Sequence, residues 1–232
     1  MEYDLFLFLT GFILTLLMVS CRKENSELVK QEEIWTDYRL IYKAELETTF
    51  ARASFKHNSS IGENLKLSSK SEISLNNNSI EFDGSFFWYE KVMNEYVKTV
   101  DFLYTDLDDN QFKNTISILD SAEITASEDT LFKDSVQFIS WDGAALDSDS
   151  SEFVLFVAYD TKGDVLSVIK QDSVGSSGIY LVNTTLKSLP IGLVDVHFER
   201  WNSFDINGTK AGGWGYSQYI SNPKRLKLVE KD

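Results

Sequence analysis

From Tyr38 onward the apolar residues recur at every second position, and no long stretch keeps the 3.6-residue period of an amphipathic helix. A strand sends successive side chains to opposite faces, so a half-buried strand reads as alternation. Ala44, Leu46, Thr48 and Phe50 alternate with polar residues. The phase then flips to Ala51, Ala53 and Phe55, a one-residue shift that predicts a β-bulge in one continuous strand. Short alternating pieces follow at Leu65/Leu67, Ile73/Leu75 and Ile80/Phe82, with turns at Asn76-Asn77-Asn78 and Asp83-Gly84. The segment Tyr96–Tyr104 reads as a strand with Tyr96, Val100, Phe102 and Tyr104 on one side.

An acidic break, Thr105-Asp106-Leu107-Asp108-Asp109-Asn110, places a domain boundary near residues 114–118. A second series of strands is expected at Ile116–Ile124, Ser135–Ser140, Phe153–Tyr159, Val165–Lys170, Gly178–Asn183, Leu193–Arg200 and Arg225–Val229. Val154 to Ala158 is apolar on both faces, which predicts a central strand. Many short strands at this spacing point to an all-β protein built of antiparallel sandwiches. The missing strand–helix alternation argues against the nucleotide-binding α/β folds.

Cys21 is the only cysteine, so no intrachain disulfide can form and packing must supply the stability. It follows an apolar run, Leu5–Val19, too short for a membrane span of roughly 20 residues but within the range of a secretory signal core. Met18-Val19-Ser20-Cys21 resembles a bacterial lipobox, in which the chain is cut before the cysteine and the new N-terminal cysteine is acylated. Met18 stands where leucine is usual, and Met1-Glu2-Tyr3-Asp4 carries none of the basic charge normal in a signal. The alternative is an uncleaved anchor with an idle thiol. The resemblance implies a signal over 1–20 and a lipidated, charged tether over 21–37, in which a short helix over Ser26–Ile34 has room to form. Two β-sandwiches are then expected at 38–115 and 116–232.

The stretch Val136–Leu155, VQFISWDGAALDSDSSEFVL, resembles the second immunoglobulin-like domain of lipoproteins common in Bacteroidetes-type bacteria. There a strand ending in Trp-Asp/Glu-Gly precedes a core strand opened by Glu, matched by Trp141-Asp142-Gly143 and Glu152. Tyr104–Asn114 is similar to the end of a preceding sandwich in the same group. The resemblance implies two consecutive antiparallel immunoglobulin-like sandwiches on a lipid-anchored envelope protein, in the outer membrane, and names no ligand.

The formal charge of −14 disfavours nucleic acid and anionic membrane surfaces. It accommodates divalent cations, cationic partners or plain solubility. Asp106, Asp108 and Asn110 stand at positions 1, 3 and 5 of a DxDxN run, oxygen ligands spaced to wrap Ca2+. Gln111 replaces the glycine and Ser117 the glutamate of a full EF-hand loop, so a solvated acidic turn is the alternative. A second acidic loop, Asp142 to Glu152, reads as a hairpin connection whose carboxylates could also serve a cation-dependent ligand. His197 shares a strand face with Asp195 and Glu199, either as a base held by its orienting acid or as an ordinary exposed face. No HExxH, GxSxG or GxxxxGK[ST] motif occurs.

Aromatic residues give the other lead. Phe86-Phe87-Trp88-Tyr89 must point two rings each way if it is a strand. Trp201, Trp214, Tyr216 and Tyr219 lie in a glycine- and asparagine-containing region that reads as long loops, with rings able to stack a sugar or grip a protein, or simply to cover the open end of a sandwich. The sequence therefore predicts a non-enzymatic, lipid-anchored binding or structural module without cofactor, with Trp201, Trp214 and Tyr216 as candidate ligand contacts. The alternative is a glycan-binding accessory lipoprotein of a polysaccharide uptake system, and the partners are the membrane and a glycan or envelope protein.

Overall fold

The computed structural model describes residues 24–68, 70–125, 129–147 and 151–230. Cys21, the signal over 1–20 and part of the second acidic loop lie outside the described residues. In the first half the strands are β1 (Glu24–Asn25), β2 (Ile34–Lys43), β3 (Thr48–His57), β4 (Asn64–Lys66) and β5 (Glu72–Leu75). They continue with β6 (Asn78–Ser79), β7 (Glu81–Asp83), β8 (Trp88–Met93), β9 (Thr99–Thr105) and β10 (Gln111–Ser117). The second half contains β11 (Glu123–Ile124), β12 (Thr130–Phe132), β13 (Gln137–Asp142), β14 (Glu152–Tyr159), β15 (Val165–Gln171) and β16 (Gly178–Leu181). A short helix of about a turn and a half, α1 (Asn183–Ser188), precedes β17 (Gly192–Phe204), β18 (Gly213–Ile220) and β19 (Lys224–Val229). The protein is all-β.

One 12-stranded sheet runs through both halves in the order β1-β4-β3-β2-β18-β17-β14-β15, with β8 and β7 added beside β3 and β19 and β12 beside β17. A four-stranded sheet, β10-β9-β5-β6, covers one end of it, and a three-stranded sheet, β11-β13-β16, covers the other. Two apolar cores lie between these layers. The first packs Tyr38 on Phe102 at 4.8 Å and Phe55 on Tyr104 at 4.8 Å. The second sets Trp141 and Phe156 against Phe198. Along the chain the first core runs to Ile118 and the second begins at Ala122, but Tyr219, Phe204 and Ile206 of the second half return to the first core. The hydrogen bonding crosses between the halves too: β18 leaves the second half and pairs with β2 along its whole length, Gly213 opposite Thr36 through Ile220 opposite Lys43.

That pairing is parallel, as are β1–β4 and β12–β19. The expectation of purely antiparallel, consecutive units is corrected on this point. Parallel neighbours need a long crossover rather than a hairpin, and here the crossover is most of the chain. The tether is corrected too. Residues 25–37 contain two 3-10 turns, Ser26–Leu28 and Gln31–Glu33, and then open β2, with Ser26, Ile34 and Thr36 completely buried. Gln31 holds the segment by donating to the Ser26 carbonyl at 2.9 Å. The expected bulge between Phe50 and Ala51 is absent: β3 pairs with β2 from Thr48 to His57 without a register shift, and the chain reverses before it in a hairpin. Ala44–Leu46 forms a 3-10 turn, Glu47 closes it at φ 49°, and β2 pairs antiparallel with β3. Ala44 and Leu46, which set the earlier phase, belong to the turn, and the inward residues of β3 are Thr49, Ala51, Ala53 and Phe55 without interruption. The strand over Thr99–Thr105 does place Val100, Phe102 and Tyr104 inward, and β14 is central, between β15 and β17.

The Trp-Asp-Gly turn and the glutamate that opens β14 are joined by Arg200. Its Nε donates to Glu152 Oε1 at 2.7 Å, and its Nη1 donates to the carbonyls of Ala144 at 2.8 Å and Ser121 at 3.1 Å. Trp141 Nε1 reaches the same Ala144 carbonyl at 3.2 Å. Both ionic side chains are about 4% exposed, so each depends on the other for neutralisation. Replacing Glu152 by Gln leaves the buried guanidinium only the more distant and partly solvated Asp120, at 3.8 Å. It should cost about 3 kcal/mol and lower the melting temperature by roughly 6–12 °C in a calorimetric scan.

Candidate functional site

The outer face of the large sheet, opposite the cores, carries the candidate site. Strand alternation puts Trp35, Asp37 and Arg39 of β2 outward while Ile34, Tyr38 and Leu40 point to the core. Beside it β18 obeys the same rule: Gly213 and Gly215 face inward, Trp214 and Tyr216 outward. The inward glycines have a steric cause. A Cβ on Gly213 would lie 2.3 Å from the Thr36 carbonyl oxygen, and one on Gly215 would lie 2.7 Å from Ile116 Cδ1. The Gly-Trp-Gly-Tyr pattern is thus what a strand needs when it is pressed against a core on one side and offers rings on the other.

Trp201, Trp214 and Tyr216 are brought together, but on strands β17 and β18 rather than on loops, which corrects the expectation for this region. They line a groove of about 310 Å3 with Phe153, Arg39 and Asp37. Phe153 stacks on Trp201 with centroids 5.9 Å apart and planes 9° off parallel. Tyr216 lies 5.4 Å from Trp201, and Trp35 meets the edge of Trp214 at 6.0 Å. Trp214 remains 58% exposed, so a large apolar ring is held open to solvent.

The polar groups of the groove are fixed. Arg39 makes a two-pronged bond to Asp37, Nε to Oδ1 at 3.0 Å and Nη2 to Oδ2 at 2.6 Å, and its guanidinium lies 4.9 Å from the centre of the Tyr216 ring. Burial pushes the Tyr216 hydroxyl up to about 12, and the neighbouring Asp37 charge acts in the same direction while Arg39 opposes it. Trp201 is held by Glu199, which accepts from the indole Nε1 at 3.1 Å and from Gln218 Nε2 at 2.8 Å. His197 contacts Glu199 at 3.1 Å and the Tyr159 hydroxyl at 3.2 Å. His197 is therefore neither an exposed strand residue nor a free base: its side chain is 13% exposed and its pairing with Glu199 orients Trp201.

The groove continues across the sheet. Arg39 stands directly opposite Arg52 of β3. Arg52 pairs with Glu90 of β8 and lies 4.2 Å from the centre of the Trp88 ring. Phe86 stacks on Trp88 at 4.7 Å and 10°, and these residues line a second recess of about 150 Å3. The sequence run Phe86-Phe87-Trp88-Tyr89 does point two rings each way, although the first two residues form a turn: Phe87 and Tyr89 are buried, Phe86 and Trp88 lie outward. Sequence reading singled out neither Arg39, Arg52, Phe153 nor Asp37. The outward phase of β2 and β3 was a usable signal, but only strand order shows that they adjoin Trp201.

The acidic triplet behaves differently. Asp106 is 2% exposed, and its Oδ1 accepts from the amides of Asp108 and Asn110, both at 2.9 Å, while Oδ2 accepts from Asn110 Nδ2 at 3.0 Å. Both carboxylate oxygens of Asp106 are thus engaged in closing the loop, and Asn110 is a partner in that closure. Among the described residues no group of three or more His, Cys, Asp or Glu is arranged to hold a metal, and no helix is long and apolar enough to cross a membrane.

No family model and no curated protein matches the chain. Among solved structures, one from work on host cell surface retention of a 1.5-MDa bacterial ice-binding adhesin is similar at 12% identity, covering 87% of this chain and 67% of that one with a TM-score of 0.24. A likeness of that size carries no argument about fold or role.

Two predictions follow from the site's construction. Gly213→Ala should push β18 off β2, destabilising the protein by about 2 kcal/mol in urea unfolding, because the added methyl meets backbone that cannot rotate away. Glu199 is held below the usual carboxylate range: burial raises it, but the bonds from His197, Trp201 and Gln218 outweigh burial. A carboxylate lowered on folding contributes stability that is complete above its unfolded value and is lost as pH falls through its folded value. The wild type should therefore lose its melting-temperature advantage over Glu199→Gln as pH drops below about 4.3, and keep it at neutrality.

Proposed function

We propose that this chain is a non-enzymatic binding module of a bacterial cell envelope, anchored by lipid at Cys21 and holding a saccharide in the groove of Trp201, Trp214 and Tyr216. The observation that carries the saccharide is the pair of flat faces, Trp214 open to solvent and Trp201 stacked on Phe153, flanking the fixed Arg39–Asp37 pair. A sugar ring has an apolar C–H face, attracted to the negative face of an aromatic ring, and an equatorial belt of hydroxyls that donate to carboxylates and accept from guanidinium. Rings and ions preset by strand packing lose little conformational freedom on binding. The groove is shallow and open on one side, a shape suited to retention of part of a longer chain.

The two cores and three sheets are compatible with paired immunoglobulin-like sandwiches, and the Arg200 knot gives the Trp-Asp-Gly and Glu152 positions a structural reason. In this reading the anchor lies in the outer membrane, and the chain serves capture, as an accessory to polysaccharide uptake. His197 and Glu199 act as orienting groups for Trp201, so they supply no catalytic step.

Trp214→Ala should weaken binding to the best ligand of a glycan array by about tenfold, the equivalent of about 1.4 kcal/mol, without changing the melting temperature by more than a degree or two. Equal array signals for the two proteins would remove the groove from the argument. The anchor is tested separately: cells fed labelled palmitate should label the wild-type chain and leave Cys21→Ser unlabelled.

A further inference from the structure

The recess at Trp88 and the groove at Trp201 are neighbours on one face, and they share three lining residues, Asp37, Arg39 and Lys56. Two of the three neutralise each other. Lys56 does not take part: its Nζ donates to the Ser60 carbonyl at 2.6 Å, and it pairs with no carboxylate among the described residues. Arg52, the other cation nearby, is matched by Glu90. The shared wall between the two recesses therefore holds one ammonium without an acidic partner, on a chain whose formal charge is −14. Against that background a cation set between two aromatic platforms is a selective feature.

The spacing adds a second element. From Trp88 on β8 to Phe153 on β14 the path crosses β3, β2, β18 and β17. Five inter-strand steps amount to about 24 Å, and an extended sugar chain advances by roughly one such step per unit. Along that path the rings are joined through Arg52 and Arg39 into one stripe that crosses the strands obliquely, since Trp201 and Phe153 lie in register with Gln218 rather than with Tyr216.

Resting on the saccharide reading above, we propose that the ligand is an anionic polysaccharide laid across the strands, filling both recesses, with the acid group of one unit received by Lys56. The global negative charge does not forbid this. Charges beyond about 8 Å are screened at physiological salt, whereas an ammonium in contact with a carboxylate or sulfate acts at hydrogen-bond range. The ring stripe supplies contact area for several units, and Lys56 supplies the choice between acidic and neutral chains.

The experiment is affinity electrophoresis of the full-length protein in detergent, through gels containing polygalacturonate, alginate or hyaluronate, each beside its carboxyl-reduced, neutral form. Dextran sulfate beside plain dextran separates sulfate from carboxylate. The expected result is that at least one acidic chain binds about tenfold more tightly than its neutral counterpart, and that Lys56→Met abolishes this difference while leaving the neutral chain unaffected. With an oligomer series of the retained chain, Trp88→Ala should remove the extra affinity of long oligomers over short ones and spare the short ones. Equal retardation by acidic and neutral chains, a preference that survives Lys56→Met, or an unaltered length dependence in Trp88→Ala overturns the inference while leaving the saccharide reading standing. Failure of every chain, acidic and neutral, in both these gels and the glycan array overturns both.

Discussion

The parallel pairing of β18 with β2 is the contact on which the rest of the molecule depends. It joins residues 36–43 to residues 213–220 and makes one sheet of what would otherwise be two. Each core is roofed by this sheet, so both inherit their geometry from it. Tyr219 shows the coupling at the level of one side chain. It lies in the first core, leans on Tyr42 at 5.4 Å, and donates its hydroxyl to Glu123 of the second half at 2.7 Å. Near the other end of β18 the Asn114 side chain bonds both the amide and the carbonyl of Asn207. The seam is therefore tied from both halves by polar contacts as well as by the ladder.

The same seam makes the candidate site. Arg39 and Asp37 belong to the first half, Trp201 and Phe153 to the second, and Tyr216 lies between them. No one strand holds the groove. A surface assembled from distant segments is usually built of loops, but here every ring is mounted on a strand except Phe86, which the turn of Asp83 sets against Trp88. Mounting on strands fixes ring planes, and the small interplanar angle of the Phe153–Trp201 pair reflects it.

Much of the architecture could be read from alternation. The all-β class and the inward residues of β9 follow from period two, because burial on one face is what writes that period, and the central position of β14 follows from the loss of it in a run apolar on both faces. What alternation could not show was partner choice. Gly212-Gly213-Trp214-Gly215 carries no apolar alternation, since its inward residues are glycines forced by close approach to Thr36 of β2 and to Ile116, and so it read as loop. The flip after Phe50 read as a bulge because Ala44 and Leu46 were counted into the strand, whereas they lie in the turn before it. The charged stretch before Ile34 read as a tether because its buried contacts are polar: Ser26 bonds Ser71 at 3.2 Å, and Gln31 accepts from the Leu107 amide at 3.2 Å. For the site, the aromatic residues were visible as a group, whereas their partners Arg39, Arg52 and Asp37 looked like any outward polar residue until strand order made them neighbours.

The distance in sequence between the two seam strands has a consequence for how the protein is made. A ribosome releases β2 early, and its edge must wait for about 170 further residues before β18 arrives. During that interval the nascent first half exposes a row of unpaired amides and carbonyls on one flank. Contacts of such long range close slowly, and an uncovered strand flank is open to capture by a neighbouring chain. The pairing of β2 with β18 is thus among the last contacts the chain can complete, and the flank of β2 is where exchange of a strand between two copies would begin.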